Sequence, residues 1–220
     1  MTTLLIATRN THKVGEIQAI LGAGFRCRAL LQEFPNAPVP VEDADSFAGN
    51  AVLKARSLAD WLASAPAARE LAAEQAWVLA DDSGLEVDAL GGAPGIHSAR
   101  FAALDSASAG NSPDRDNNAK LLRLLAGVPT PKRSARFRCA LALVPVGRAD
   151  APQIFEGTCE GRIDLNPRGA GGFGYDPLFI VPEYHRTFGE LSGAVKAVVS
   201  HRGRALRAMI PQIVRHLTAS

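Results

Sequence analysis

Two adjacent carboxylates, Asp81 and Asp82, follow a short apolar run of the sequence and precede Ser83 and Gly84. Carboxylate oxygens at the end of a strand suit a hard cation such as Mg²⁺, and one of them could take a proton from a water molecule. Successive residues of a strand point to opposite faces, so we expect the two aspartates to have different roles. The alternative is a simple acidic turn that Gly84 ends.

A second acidic group lies in the proline-rich segment 34–46, which contains Glu42, Asp43 and Asp45. Three prolines and several acids in so short a stretch predict a loop. A carboxylate from this loop could complete a metal site begun by Asp82. The alternative is that these acids are only in contact with solvent.

A polar segment between the first apolar run and the first predicted helix could bind phosphate. It consists of Thr8, Arg9, Asn10, Thr11, His12 and Lys13. Backbone N–H groups at the start of a helix favour anions, and a lysine adds a positive charge for phosphate. The glycine spacing of a Walker A loop is absent, and an ordinary capped turn with a surface lysine is the alternative.

A glycine-rich loop and a later group of cationic residues could bind the remainder of a nucleotide. The residues concerned are Phe173, Gly174, Tyr175 and Asp176 of the loop, followed by Lys196, His201 and Arg202. A turn that exposes Phe173 and Tyr175 could stack on a planar base while its amides contact the base edge. The dipole at a helix start disfavours cations, so His201 and Arg202 there indicate a nearby anion or ligand acceptor. The alternative is a loop followed by a capped helix. Together, the clusters fit a nucleoside triphosphate site.

The elements that must position these clusters alternate between strands and helices early in the chain and include adjacent strands later. Strands are predicted at residues 4–7, 77–80, 135–144, 153–159 and 178–181, and helices at residues 13–21, 47–63, 117–126 and 201–217. Ser46 is the predicted N-cap of the second helix. This order of elements predicts an α/β protein with a mixed sheet.

The composition excludes several classes of protein. Of the 220 residues, 47% are apolar and 21% are charged, which is the balance of a globular protein. No apolar run approaches the roughly 20 residues that span a bilayer, and we expect a soluble cytoplasmic protein. Three widely spaced cysteines form neither a disulfide framework nor a metal-binding pair. The basic residues are dispersed, which argues against binding of a nucleic-acid polymer.

The sequence resembles the inosine/xanthosine triphosphate pyrophosphatase family from about Leu4 to Leu217. The matching segments contain Thr8, Asn10 and Lys13, and then cover residues 47–56, 80–85, 90–100, 171–177 and 200–202. Any one of these segments alone would be a weak signal, but their order and number make chance agreement very improbable.

The resemblance implies hydrolysis of the deaminated purine nucleotides ITP, dITP and XTP to the monophosphate and pyrophosphate, with Mg²⁺ as cofactor. It implies a homodimer and a two-lobed α/β fold, in which helices flank a long central mixed sheet and the active-site cleft lies between the lobes. We treat residues 1–220 as a single domain of this kind.

The resemblance also assigns roles to individual residues. Residues 8–13 would bind the triphosphate, with Lys54 as a further phosphate contact. Glu42 and Asp82 would hold Mg²⁺, and Asp82 would be the proton acceptor. The remaining substrate contacts would be Ser83, Phe173, Gly174, Tyr175, Asp176, Lys196, His201 and Arg202.

The chain departs from the family pattern at three positions. Arg9 and His12 stand where small residues are frequent, and Gly49 stands where many members have glutamate. Residues 64–75 resemble an insertion. A pyrophosphatase for other modified nucleotides, a non-catalytic nucleotide-binding regulator and a phosphatase that releases single phosphates are the alternative functions.

Overall fold

We describe the protein from a computed structural model, which covers residues 2–66, 68–105, 110–148 and 151–218. The strands of this part of the chain are β1 (Thr2–Ile6), β2 (Phe25–Ala29), β3 (Trp77–Val87), β4 (Ser134–Pro145), β5 (Gln153–Ile163), β6 (Phe179–Val181) and β7 (Arg186–Thr187). Its α-helices are α1 (Thr11–Leu21), α2 (Leu30–Glu33), α3 (Phe47–Ser64), α4 (Ala68–Ala73), α5 (Asp114–Leu124), α6 (Gly193–Val199) and α7 (His201–Thr218).

The strands form one mixed sheet in the order β2-β1-β3-β4-β5-β6-β7. Strand β1 is parallel to both β2 and β3, whereas β6 is antiparallel to both β5 and β7. A parallel pair needs a crossover connection, and α1 provides it between β1 and β2. The predicted α/β class, with helices flanking a mixed sheet, is confirmed.

The chain divides into two compact units, each with its own apolar core. The first unit runs up to Asp82 and adds Cys139–Gly157 and the chain from Arg202 onward, and the second contains Ser83–Arg138 and Thr158–His201. The first core is built from residues such as Leu4, Leu79, Leu141 and Leu206, and the second from residues such as Leu85, Leu121, Phe137 and Phe179. The single domain with a cleft between two lobes stays a prediction.

Strand β3 corrects one expectation. The sequence predicts a strand that stops at Asp81, but the strand continues through both aspartates and Gly84 to Val87. Charged residues can lie inside a buried strand when they have partners. Asp81 has Arg202 and Lys13 as partners, and Asp82 has Lys54. Both carboxylates therefore belong to the interior of a strand and not to a turn.

Local sequence signals predicted the first residues of α3 and α7 correctly. The Ser46 hydroxyl accepts a hydrogen bond from the backbone N–H of Gly49, which confirms the predicted cap of α3. Helix α5 begins three residues earlier than predicted, at Asp114, and strands β2 and β7 and helices α2 and α6 were not predicted. No helix in the described ranges is both long enough and apolar enough to cross a membrane.

Candidate active site

Lys54 joins the two carboxylates that the resemblance assigns to a metal ion. Its ammonium group donates to Oε2 of Glu42 and to Oδ1 of Asp82, with both nitrogen–oxygen distances equal to 3.1 Å. A third bond of 3.2 Å goes to the backbone carbonyl of Asp81. The structure therefore brings Glu42, Lys54 and Asp82, which lie on a loop, on α3 and on β3, into one cluster.

The Lys54 side chain is only 11% exposed, so it depends on these partners for its charge. Burial by itself would lower the pKa of Lys54, but the negative charges of Asp82 and Glu42 outweigh burial. The pKa consequently lies above its ordinary value of 10.5, and Lys54 remains an ammonium ion at neutral pH.

The start of α3 holds the loop that carries Glu42. The Asn50 side-chain oxygen accepts a hydrogen bond of 3.0 Å from the backbone N–H of Ala44. A Cβ atom at Gly49 would come within 2.7 Å of the Cβ of Ala44, so the absence of a side chain lets the loop approach the helix. Asn50 had no role in the sequence analysis, although it lies in a segment that matches the family.

The donor set fits a divalent cation. Oδ2 of Asp82 is buried and has no hydrogen-bond partner among the described residues, so an oxygen with unused acceptor capacity faces the protein interior. No group of three or more acidic, histidine or cysteine residues able to hold a metal occurs in the described part of the chain. Two carboxylates are the set expected for Mg²⁺, which keeps several water ligands and binds substrate phosphates.

Asp81 has a different environment from its neighbour, as the alternation of strand side chains predicts. Its side chain is fully buried and accepts bonds from Arg202 at 2.8 and 3.4 Å and from Lys13 at 2.6 Å. The thiol of Cys139 lies 3.4 Å from its Oδ2. Burial would raise the pKa of Asp81, but Arg202 and then Lys13 outweigh it, so the pKa lies well below 3.8.

Arg202, a predicted substrate contact, is engaged by carboxylates of the first unit. Its side chain is 1% exposed and pairs with Glu16 of α1 in addition to Asp81. Glu16 was missed because nothing in its local sequence points to a partner 186 positions away. The contact of Arg202 with substrate stays a prediction.

The polar segment before α1 is organised as a helix cap. The Asn10 side chain accepts from the backbone N–H groups of His12 and Lys13, and the Thr8 hydroxyl accepts from that of Asn10. Arg9, Thr11 and His12 are exposed, whereas Thr8, Asn10 and Lys13 are half-buried. The structure thus contains the capped turn that was the alternative interpretation, and phosphate binding by residues 8–13 stays a prediction.

In the second unit, Asp176 organises the glycine-rich loop. Its carboxylate accepts from the Phe173 backbone N–H at 2.9 Å and forms a buried ion pair with Lys196. The Lys196 ammonium also lies 4.8 Å from the centre of the Phe173 ring, which is a cation–π distance. Three residues predicted to contact substrate, Phe173, Asp176 and Lys196, therefore lie together.

Tyr175 corrects the expectation of an exposed stacking ring. Its side chain is buried in the second core, and its hydroxyl donates to the Ser98 backbone carbonyl at 2.8 Å. Burial, followed by the negative charge of Asp114, raises the pKa of this hydroxyl above its ordinary value. A buried tyrosine usually finds a hydrogen-bond partner, and the Ser98 carbonyl is the partner of Tyr175, whereas Phe173 of the same loop is half-buried.

Two residues of α5 anchor the same loop and were missed by sequence reasoning. Asp114 accepts from the backbone N–H of Gly174 at 2.6 Å, and the Asn118 side chain donates to the carbonyl of Gly174 at 2.9 Å. Two further predicted substrate contacts also belong to the second unit. Ser83 is a half-buried residue of β3, and buried His201 stacks on Phe137 with ring centres 4.8 Å apart. No local pattern links α5 to the loop, because the bonded residues are 56 and 60 positions apart in the sequence.

The family model described as the Ham1 family matches residues 4–212 of the chain. The chain belongs to the Ham1 family. This match confirms the resemblance that the sequence motifs carry, because it covers nearly the whole chain and includes every cluster described above.

Similar proteins are known for this Ham1-family chain. A protein of Rhodopirellula baltica named dITP/XTP pyrophosphatase is 44% identical over 216 residues, which cover 98% of this chain and 94% of that protein. A dITP/XTP pyrophosphatase of Geobacillus kaustophilus is 46% identical, covering 96% and 94% of the two chains. The solved structure of a HAM1 protein from Coxiella burnetii is 35% identical, covers both chains completely and superposes with a TM-score of 0.76.

Proposed function

We propose that this protein hydrolyses deaminated purine nucleoside triphosphates, namely ITP, dITP and XTP, to the monophosphate and pyrophosphate with Mg²⁺. The proposal depends on one observation above all, the buried oxygen of Asp82 beside the Glu42–Lys54 pair, which has no hydrogen-bond partner in the described part of the chain. Relatives that are more than 40% identical over nearly the full chain and are named dITP/XTP pyrophosphatase support it. The purpose of such an activity is to remove deaminated bases from the nucleotide pool.

One set of residues acts on the triphosphate. Glu42 and Asp82 would hold Mg²⁺, and the bound ion would supply positive charge that neutralises phosphate oxygens. Asp82 accepts the proton of the attacking water, a contribution of about 10²–10⁴-fold in similar reactions. Lys13, Lys54 and Lys196, together with the polar residues 8–12, hold the triphosphate by charge and position.

Another set of residues contacts the base in this proposal. We assign this role to Ser83, Phe173, Gly174, Tyr175, Asp176, His201 and Arg202. Hypoxanthine and xanthine carry an oxygen at position 6, which accepts hydrogen bonds from His201, Arg202 and loop amides. Adenine has an amino group there. A hydrogen-bond donor that faces buried donors leaves them unpaired, which can reduce kcat/KM for the adenine nucleotide by about 10⁴-fold or more.

Tyr175 takes part in this proposal through the backbone of the loop, because its side chain is buried against Ser98. The homodimer that the resemblance implies and the cytoplasmic location expected from the sequence remain predictions. Sedimentation equilibrium and cell fractionation test them.

A panel of nucleoside triphosphates, assayed with Mg²⁺ for both pyrophosphate and orthophosphate, tests the proposed function. We expect pyrophosphate from ITP, dITP and XTP, little hydrolysis of ATP, and complete loss of hydrolysis after addition of a chelator. Orthophosphate as the first product would indicate a phosphatase instead. Hydrolysis of modified pyrimidine nucleotides in preference to ITP would indicate a pyrophosphatase for other modified nucleotides. Binding of ITP without hydrolysis would indicate a non-catalytic regulator.

A further inference from the structure

The Lys54 ammonium group uses the oxygens that the proposed metal site needs. It bonds Oδ1 of Asp82 and Oε2 of Glu42 at 3.1 Å each, and these are the two residues assigned to Mg²⁺. Its remaining recorded partner is the neutral carbonyl of Asp81. The two carboxylates therefore provide all of the negative charge that contacts this buried cation within the described residues.

We propose that Lys54 and the divalent cation compete for Glu42 and Asp82, so that Lys54 must leave these carboxylates when the metal binds them. The inference rests on the metal assignment in the proposed function. An ammonium group that shares oxygens with a doubly charged ion lies at a separation where like charges repel strongly, and partial burial weakens screening by solvent.

Lys54 also needs a new anion after it leaves, because a cation with 11% exposure is poorly hydrated where it stands. The substrate triphosphate supplies that anion, in agreement with the predicted phosphate contact of Lys54. Lys54 consequently couples the two ligands: a triphosphate that takes over the ammonium group frees the carboxylates for the metal. Such coupling is reciprocal, so bound metal also favours triphosphate binding by the same factor.

A purely structural ion pair makes the opposite prediction. If Lys54 only neutralised two buried acids, its replacement would leave those acids misplaced and metal binding would weaken. Competition predicts that removal of the ammonium group strengthens metal binding. The sign of one measured change therefore separates the two roles.

The first test is calorimetric titration of Mg²⁺, and of Mn²⁺ as a second probe, into nucleotide-free protein. Lys54→Met keeps the length of the side chain and removes the charge, and we expect it to raise the affinity for the metal at least about tenfold. Lys54→Arg keeps the charge and should leave the affinity within about threefold of the original.

Lys13→Met is the matched control for a general change of charge. Lys13 is similarly buried at 15% exposure, and its recorded side-chain partners are the carboxylate and carbonyl of Asp81. Its replacement should raise metal affinity by less than about threefold, because it removes charge without releasing a proposed metal ligand. An equal gain in both variants would overturn the competition, and so would unchanged or weaker binding in Lys54→Met.

A second test needs no variant and decides the matter if Lys54→Met does not fold. The unsubstituted protein is treated with an amine-acylating reagent at increasing Mg²⁺, and the modification of each lysine is read by mass spectrometry. We expect acylation of Lys54 to rise severalfold with Mg²⁺ while that of Lys13 stays constant. Constant acylation of Lys54 at metal concentrations that calorimetry shows to be saturating contradicts the inference.

These outcomes are distinct from failure of the proposed function. If the protein releases pyrophosphate from ITP with Mg²⁺ but the titration and acylation results contradict competition, only the inference about Lys54 is wrong. Protein that releases no pyrophosphate loses the proposed function whatever the titration shows. Absence of metal binding in both the original protein and Lys54→Met overturns the competition and the metal assignment together.

Discussion

Replacement of Arg202 by alanine should destabilise the first unit strongly. The Arg202 guanidinium is 1% exposed and donates two bonds to Asp81, whose carboxylate is fully buried, and it also pairs with Glu16. Removal of one member of a buried ion pair usually costs about 3–5 kcal/mol, because the other charge is left buried without compensation. Lys13 remains 2.6 Å from Oδ1 of Asp81 and offsets part of this loss. We therefore expect the lower end of the range, about 3 kcal/mol.

Urea unfolding measures this effect, with tryptophan fluorescence as the signal because Trp77 lies in the core of the first unit. Domains are typically stable by only about 5–15 kcal/mol, so a loss of 3 kcal/mol shifts the midpoint clearly. Arg204→Ala is the control on the same helix: Arg204 is exposed, and its replacement should change stability by less than about 1 kcal/mol.

A double variant, Arg202→Met with Asp81→Leu, should recover part of the loss, because an apolar pair replaces a charge pair in a buried place. A loss below about 1 kcal/mol in Arg202→Ala would refute the reasoning from burial. If that stable variant also lost its preference for ITP over ATP, the result would support the predicted contact of Arg202 with the base and not a structural role of its ion pair.

Three further predictions concern Asp82, the buried Asp81 beside it, and the contact of α5 with the glycine-rich loop. Asp82→Asn should reduce pyrophosphate release from ITP at least about a hundredfold in a folded protein, whereas Asp43→Asn, in the acidic loop that carries Glu42, should not. Near-normal turnover of Asp82→Asn would remove Asp82 from the role of base. The pKa of Asp81 is lower in the folded protein than in the unfolded chain, so its carboxylate adds to the free energy of unfolding above about pH 4. This contribution is lost as the pH falls through the pKa of the folded protein. Asp81→Asn should therefore make the free energy of unfolding, measured in urea, less dependent on pH in the acid range. Asn118→Ala removes one hydrogen bond to the glycine-rich loop and should raise the KM for ITP about fivefold with little change in kcat. Arg115 is exposed on the same helix and serves as the control. An equal rise of KM in Arg115→Ala would contradict the proposed role of Asn118 in holding the loop.

The sequence alone determined the class of fold, the family and the residue types of the site. Apolar runs and helical spacing are local properties, and they placed the mixed sheet and most of its helices. Side chains that bond within three positions were equally readable, as the Ser46 cap of α3 illustrates. The acidic loop indicated Glu42, and the family motifs contained Lys54 and Asp82, before any distance was known.

Only the tertiary structure decided which of these residues meet. Arg202 lies 121 positions from Asp81, Lys54 lies 28 positions from Asp82, and neither pairing leaves a periodic trace in the sequence. The same holds for Tyr175, which reads as an exposed ring until Ser98, 77 positions away, provides an acceptor for its hydroxyl. Burial of a polar group depends on partners that folding brings from distant parts of the chain, and local propensity carries no information about their distance.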